Sequence, residues 1–233
     1  MRNGLKKRLQ DSASVVSVVA IVLWLGSSVG AQPPDPSAYF PLAVGNRWVY
    51  EASTGSSTEE WAVIREEKDA FVVQITADAL STARFEEVFR PGPEGIARLT
   101  GAGQRPADPQ PVINPKFRDQ LRDQPQDRPS AAAGPLFVLK SPLRIGTVWE
   151  NADGRYEITG LGLSVSVPAG TFEDCVEVMR WSAGGGVTVV SLYAPGVGVV
   201  QRDETFPLLE GSGNLNPRQR QRLVLQLKAW TLH

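Results

Sequence analysis

Apolar and polar residues alternate at every second position along several stretches of this chain, the period of a half-buried β-strand. Phe71, Val73, Ile75 and Ala77 fall on one face of such a stretch. Leu163, Val165 and Val167 do the same, with Ser164 and Ser166 between them. Further on, Leu223, Leu225, Leu227 and Ala229 share one side, while Arg222, Gln226 and Lys228 lie mostly on the other. Val187–Leu192 is more uniformly apolar, as a central strand would be. Pro195-Gly196 then turns the chain into Val197–Gln201, a hairpin signal. About a dozen segments read as strands in this way. A sheet that long must curve or stack on a second sheet to cover its oily face. The expected fold class is therefore mainly β and antiparallel, a curved half-barrel or a sandwich.

The same strand-and-turn order occurs twice. Pro41-Leu-Ala-Val-Gly45-Asn-Arg-Trp48 is echoed by Pro142-Leu-Arg-Ile-Gly146-Thr-Val-Trp149, with Pro, Leu, an aliphatic residue, Gly and Trp at identical spacing. Phe89-Arg-Pro-Gly-Pro-Glu-Gly-Ile96 is echoed later, in the same order, by Tyr193-Ala-Pro195-Gly196-Val-Gly-Val199. Two ordered matches predict a duplicated β unit, in which Pro and Gly set the turns and each Trp anchors the inner face. The first repeat is expected over 39–100 and the second over 136–233. Residues 101–135 between them are rich in Pro, Gln, Asp and Arg, which predicts a polar, irregular linker. Asn114–Asp123 is its one helix candidate, with Asn114 as cap, Pro115 at the first turn, and Phe117 and Leu121 on one face. Residues 32–38 form a Pro-rich lead-in.

The first 31 residues read as an export signal. Arg2, Lys6, Lys7 and Arg8 precede the apolar run Val15–Leu25, and Val29-Gly30-Ala31 supplies small residues before a cut expected after Ala31. The apolar run is shorter than the roughly 20 residues that span a bilayer. A membrane anchor over residues 13–29, left in place if cleavage fails, is the alternative. The expected location is thus periplasmic or secreted. The chain carries a formal net charge of −1, and loss of this segment removes four basic residues and Asp11. No basic block then remains to suggest a nucleic-acid partner. A single cysteine, Cys175, allows no internal disulfide, so stability has to come from the core.

Candidate chemistry is sparse. The one histidine is His233, at a position expected to fray, which leaves no framework for a Ser-His-Asp or Cys-His site. One His and one Cys exclude a Cys/His zinc site within a monomer. Asn151-Ala-Asp153-Gly154 reads as a hairpin turn and not as a calcium loop. The glycine-rich stretches lack the phosphate-loop and dinucleotide spacings, so no cofactor is expected. Cys175 has Glu173, Asp174 and Glu177 as neighbours, which disfavour a thiolate, and reads as a small buried strand residue. The pairs Glu59-Glu60, Glu66-Glu67 and Glu86-Glu87 put their members on opposite faces of a strand and so cannot form a two-carboxylate site by themselves. They read as solvated edges.

Three segments together resemble a known group: Phe40-Pro41-Leu-Ala-Val-Gly45-Asn-Arg-Trp48, Val167-Pro168-Ala-Gly170-Thr-Phe-Glu-Asp-Cys175 and Tyr193-Ala-Pro195-Gly196-Val-Gly-Val-Val200. They are similar to exported bacterial proteins of the TapB-like family, a domain without an established activity. The likeness covers most of the chain outside the polar linker, which is more polar than that family would suggest. It implies a curved β half-barrel remotely similar to lipoprotein carriers, and it brings no catalytic or binding residues with it. Pro41, Gly45, Trp48, Pro142, Gly146, Trp149, Pro168, Gly170, Cys175, Pro195 and Gly196 are accordingly structural positions. The expected function is that of a non-enzymatic exported protein holding a lipid-like or peptide ligand, or an envelope partner. The alternatives are a structural envelope protein without a ligand and a carboxylate-dependent hydrolase.

Overall fold

The computed structural model describes residues 34–55, 57–78, 82–99, 135–183, 186–209 and 215–233. The expected signal segment, the helix candidate at Asn114–Asp123 and nearly all of the polar linker lie outside these residues. The described chain forms one 12-stranded antiparallel sheet. Its strands are β1 Arg47–Ala52, β2 Thr58–Glu67, β3 Ala70–Asp78, β4 Thr82–Gly92, β5 Gly95–Leu99, β6 Leu136–Lys140, β7 Val148–Asn151, β8 Gly154–Val167, β9 Gly170–Ser182, β10 Thr188–Ala194, β11 Gly198–Leu209 and β12 Leu215–Thr231. One 3-10 turn, Pro36–Tyr39, precedes them, capped by the Asp35 carboxylate on the Ser37 N–H. Among the described residues no helix is long and apolar enough to cross a membrane.

The spatial order is β6-β5-β4-β3-β2-β1-β12-β11-β10-β9-β8-β7. The first six strands thus form one flank and the last six the other, joined by the β1–β12 ladder, where Trp48 opposes Trp230. The sheet curls until its edge strands β6 and β7 meet across a seam. Among the described residues no backbone ladder closes that seam. The Asn151 amide does so instead: its Oδ1 accepts from the Phe137 N–H (3.2 Å) and its Nδ2 donates to the Phe137 carbonyl (2.8 Å). Trp149 Nε1 donates to the same carbonyl at 2.8 Å. A side-chain amide offers the donor and acceptor that a neighbouring strand would, so it satisfies an edge that would otherwise stay open. This is the curved half-barrel form of the expected fold, nearly closed.

The interior is packed with aromatics. Phe40, just past the 3-10 turn, has its ring centroid 5.9 Å from Trp48, 6.4 Å from Trp61 and 5.3 Å from Phe89, and Tyr50 meets Trp61 at 5.5 Å. Each tilted or edge-on pair contributes about 0.5–1.5 kcal/mol beyond its buried area. Trp48 is fully buried, and its Nε1 donates to the Val197 carbonyl at 2.6 Å. The two Pro-Leu-x-aliphatic-Gly turns are bonded alike. Gly45 N–H donates to Val63 O (2.9 Å) and Gly146 N–H to Ile158 O (2.8 Å). Both glycines have positive φ, +98° and +84°, a region that favours glycine. The residue after each glycine ties back to the turn: Asn46 Nδ2 and Thr147 Oγ1 donate to the carbonyls of Pro41 and Pro142.

Two local expectations are corrected. Ala229 is exposed, because Lys228 is an extra residue in the β1–β12 pairing and shifts the phase of the strand. A bulge of this kind inverts every later position. His233 is held in place: its N–H donates to Asn46 Oδ1 at 2.8 Å, and its ring lies where a side chain on Gly45 would be.

Candidate ligand cavity

Strand alternation puts charged residues on the concave face as well as apolar ones. From β2, Glu59 turns inward and accepts from Trp61 Nε1, while Glu60 points out to Arg47. In the same way Glu87 on β4 is buried at 9% exposure, while Glu86 pairs with Arg65 outside. The solvated-edge reading therefore fails for Glu87, the inward member of its pair, and holds for Glu66-Glu67, where both residues are exposed. Arg98 on β5, Arg180 on β9 and Arg202 on β11 point to the same interior.

The cluster is organised by Asp153. This residue lies in the two-residue turn between β7 and β8, where Asn151 opposes Gly154. Its carboxylate folds inward over the seam. Oδ2 accepts from Arg98 Nη2 at 2.8 Å, from Tyr156 OH at 2.8 Å and from Arg180 Nη1 at 3.2 Å. Oδ1 is buried and has no partner among the described residues, so the carboxylate keeps acceptor capacity. Arg98 also reaches Glu87 at 3.6 Å, and Arg202 pairs with Glu204 two residues along its own strand. A buried charge needs such partners, since desolvation alone would cost several kcal/mol. Burial pulls the Arg202 pKa down, yet the nearby carboxylates of Glu204, Glu59 and Glu87 more than offset it and hold it above its ordinary value. Desolvation raises the Tyr193 hydroxyl to about 12 and also pushes Tyr156 up, there with help from Asp153. Both phenols are neutral donors at ordinary pH.

A partly open cavity of about 80 Å³ remains between these groups. Its polar wall is Glu87, Arg98, Arg180, Ser191 and Arg202, with the rings of Tyr156 and Tyr193. Phe40, Trp61 and Phe89 contribute the aromatic wall, and Ile75, Val138, Val178, Val189 and Val199 complete it. Among the described residues no group of three or more His, Cys, Asp or Glu could hold a metal ion.

None of the eleven structural positions lines this cavity, whereas Glu87, which the sequence offered only as half of an adjacent acidic pair, does. Trp48 and Trp149 are buried anchors, and Trp149 stacks on Tyr156 at 5.4 Å. Pro41, Gly45, Pro142 and Gly146 form the two turns that lead into β1 and β7. Pro195 and Gly196 join β10 to β11, with Gly196 N–H bonded to Ala38 O at 2.6 Å. Pro168 and Gly170 form the tip of the β8–β9 hairpin, whose Ala169 N–H reaches Leu227 O at 2.9 Å. Cys175 is fully buried on β9, beyond a bulge at Glu173-Asp174. Desolvation, then Glu173 and Asp174, push its thiol up to about 11. The residues missed were the charged ones at inward positions of β4, β5, β9 and β11. Their one sequence signal was a charge at a position where strand alternation demanded an apolar residue.

No protein-family model matches the chain, and no curated protein matches it, so the TapB-like resemblance rests on the three motifs. Among solved structures the chain is similar to two bacterial proteins. One, from Bacteroides fragilis, is described as inferred to be exported and as having a YmcC-like fold. It is 15% identical with a TM-score of 0.44, over 83% of this chain and 99% of that one. The other, from Parabacteroides distasonis, is described as inferred to be a lipoprotein. It is 12% identical with a TM-score of 0.42, over 85% of this chain and 100% of that one.

Proposed function

We propose that this is an exported, non-enzymatic envelope protein of the TapB-like kind, whose half-barrel holds a small guest in its interior. The observation that carries the reading is the cavity on the concave face, where polar side chains converge inside an aromatic shell. Convergent polar groups in an apolar concavity are the usual make-up of a ligand site. The room is about 80 Å³, space for roughly five to eight water-sized positions. That suits a compact guest better than an acyl chain or a peptide, because the aromatics already fill the rest of the concave face. Export is supported by the basic-then-apolar N-terminal pattern and the small residues before Gln32. Residues 39–100 and 136–233 read as one β unit used twice, a reading supported by the matching turns at Gly45 and Gly146.

The test uses the full chain, expressed with its own N-terminus in a bacterial host. Intact mass of protein from the exported fraction should read a start at Gln32. Its native mass spectrum should carry an additional mass that is lost on denaturation, or the protein should show saturable binding to some member of a small-molecule panel. A bare native mass with no saturable binder would overturn the ligand-holding reading and leave a structural envelope protein. Retention in the cytosol would overturn export.

A further inference from the structure

From the chemistry of the cavity wall we propose that the guest is a small, uncharged, polyhydroxylated molecule, a polyol or one face of a single sugar ring; this rests on the ligand-holding reading above. The charge balance points to neutrality from both sides. Among the groups that touch the cavity, three guanidiniums (Arg98, Arg180, Arg202) stand against one carboxylate, Glu87, so a cation would meet a positive wall. Together with Glu87, the carboxylates of Glu59, Asp153 and Glu204 behind that wall match the guanidiniums and leave no positive surplus for an anion.

Hydrogen-bonding capacity points to hydroxyls. Each guanidinium has five N–H donors, and the contacts of these three within the described residues use a minority of them. Glu87 lines the same space as a pure acceptor. Its contact with Arg98, at 3.6 Å, is beyond hydrogen-bond reach, and it makes no hydrogen bond among the described residues. Unused donors and unused acceptor oxygens thus face one small volume. A hydroxyl both donates and accepts, so a molecule carrying several can satisfy both kinds of wall at once. A carboxylate or phosphate would satisfy only the donors, and an ammonium only the acceptors. The rings of Trp61, Phe40 and Phe89 offer apolar surface to the C–H face of such a molecule.

The experiment measures saturable binding to the full chain by ligand-observed NMR and by tryptophan fluorescence, since Trp61 lines the site. Saturation is the criterion because polyols also stabilise proteins without binding. The probes are glycerol, myo-inositol, D-glucose and D-galactose, with succinate, inorganic phosphate and putrescine as charged comparators. At least one hydroxylated probe should saturate. Glu87→Gln, which keeps the shape and removes the charge, should weaken it by about tenfold or more. Ser191→Trp, which fills the cavity and leaves the charged residues themselves in place, should abolish it. Near-UV circular dichroism checks that each variant is folded, and Glu87→Gln decides the matter if Ser191→Trp fails that check. Saturation by a charged comparator alone would overturn the ligand class and leave the ligand-holding reading standing. Hydroxylated-probe binding unchanged in the folded variants would overturn the site. Absence of saturation by every probe overturns the present inference, and the broader reading then rests on the native mass spectrum.

Discussion

Asp153→Asn isolates the charge at the centre of the interior cluster. The substitution keeps the side chain's size, and Asn and Asp are both favoured turn residues, so the turn between β7 and β8 should survive. What changes is Oδ2, which now accepts from Arg98, Tyr156 and Arg180 at 2.8, 2.8 and 3.2 Å. Arg98 would keep Glu87 at 3.6 Å, whereas Arg180 would lose its ion-pair partner. Removing one member of a buried pair typically costs 3–5 kcal/mol. These side chains retain 14–22% exposure, so partial solvation should reduce the loss to about 2–3 kcal/mol. For a protein of this size that is a fall in Tm of roughly 5–10 °C. Urea unfolding followed by tryptophan fluorescence measures the free energy directly. The Arg180→Met variant closes a double-mutant cycle: if the two groups act as a pair, the double substitution should cost less than the sum of the singles. A surface control, Glu60→Gln, breaks an exposed pair with Arg47 and should leave Tm unchanged. If Asp153→Asn were as silent as that control, the cluster would be a solvent-screened accident and not part of what holds the seam shut.

Asn151→Ala should cost about 1–2 kcal/mol, and hydrogen exchange at the Phe137 amide should speed up, because the seam loses its strand mimic; unchanged exchange there would mean that another group closes the edge. Gly154→Ala should destabilise by more than about 3 kcal/mol, since its Cβ would sit 2.0 Å from the Trp181 carbonyl oxygen at φ +146°. Gly170→Ala, at nearly the same φ but with no atom within 4 Å, should lose only the backbone strain, about 1–2 kcal/mol; equal losses in chemical denaturation would refute the clash. Cys175 should resist a thiol reagent at pH 8 and react on unfolding. Its folded pKa of about 11 lies above the usual 9, and that of Tyr193, about 12, lies above the usual 10. Both raised values favour the protonated, folded form, so their contribution is complete below pH 9 and disappears as pH rises from 9 to 12. A urea midpoint that stays flat across that window would contradict the burial of both groups.

Alternation made the sheet readable, and the reason bears on how far such reading extends. The hydrophobic positions Val73, Ile75, Val165, Leu225 and Leu227 could be assigned to a covered face because an exposed apolar stripe is costly in every antiparallel arrangement. The choice between half-barrel and sandwich was not legible. It depends on whether β6 and β7 find each other, and that meeting is made by a few side chains, Trp149 and Asn151 of β7 and Asp153 of the turn after it, whose local sequence specifies only a strand and a turn. Ala229 was misassigned for a similar reason, since one extra residue in a pairing leaves no local trace while reversing everything beyond it.

The cavity was hidden by the same rule that exposed the core. Read with a period of two, Glu87 falls in step with Phe85 and Phe89, and Arg202 with Val200 and Glu204, so their positions alone assigned these charges to the inside. A charge there looks like an error of phase when a strand is read by itself, and Glu-Glu pairs then default to solvent. It becomes interpretable only when opposite charges from non-adjacent strands fall at the same depth, as Arg98 of β5, the Asp153 turn and Arg180 of β9 do. The informative positions in such a sheet are therefore the charged residues that break the apolar stripe in several strands at once. Four such strands here, β4, β5, β9 and β11, converge on one small space.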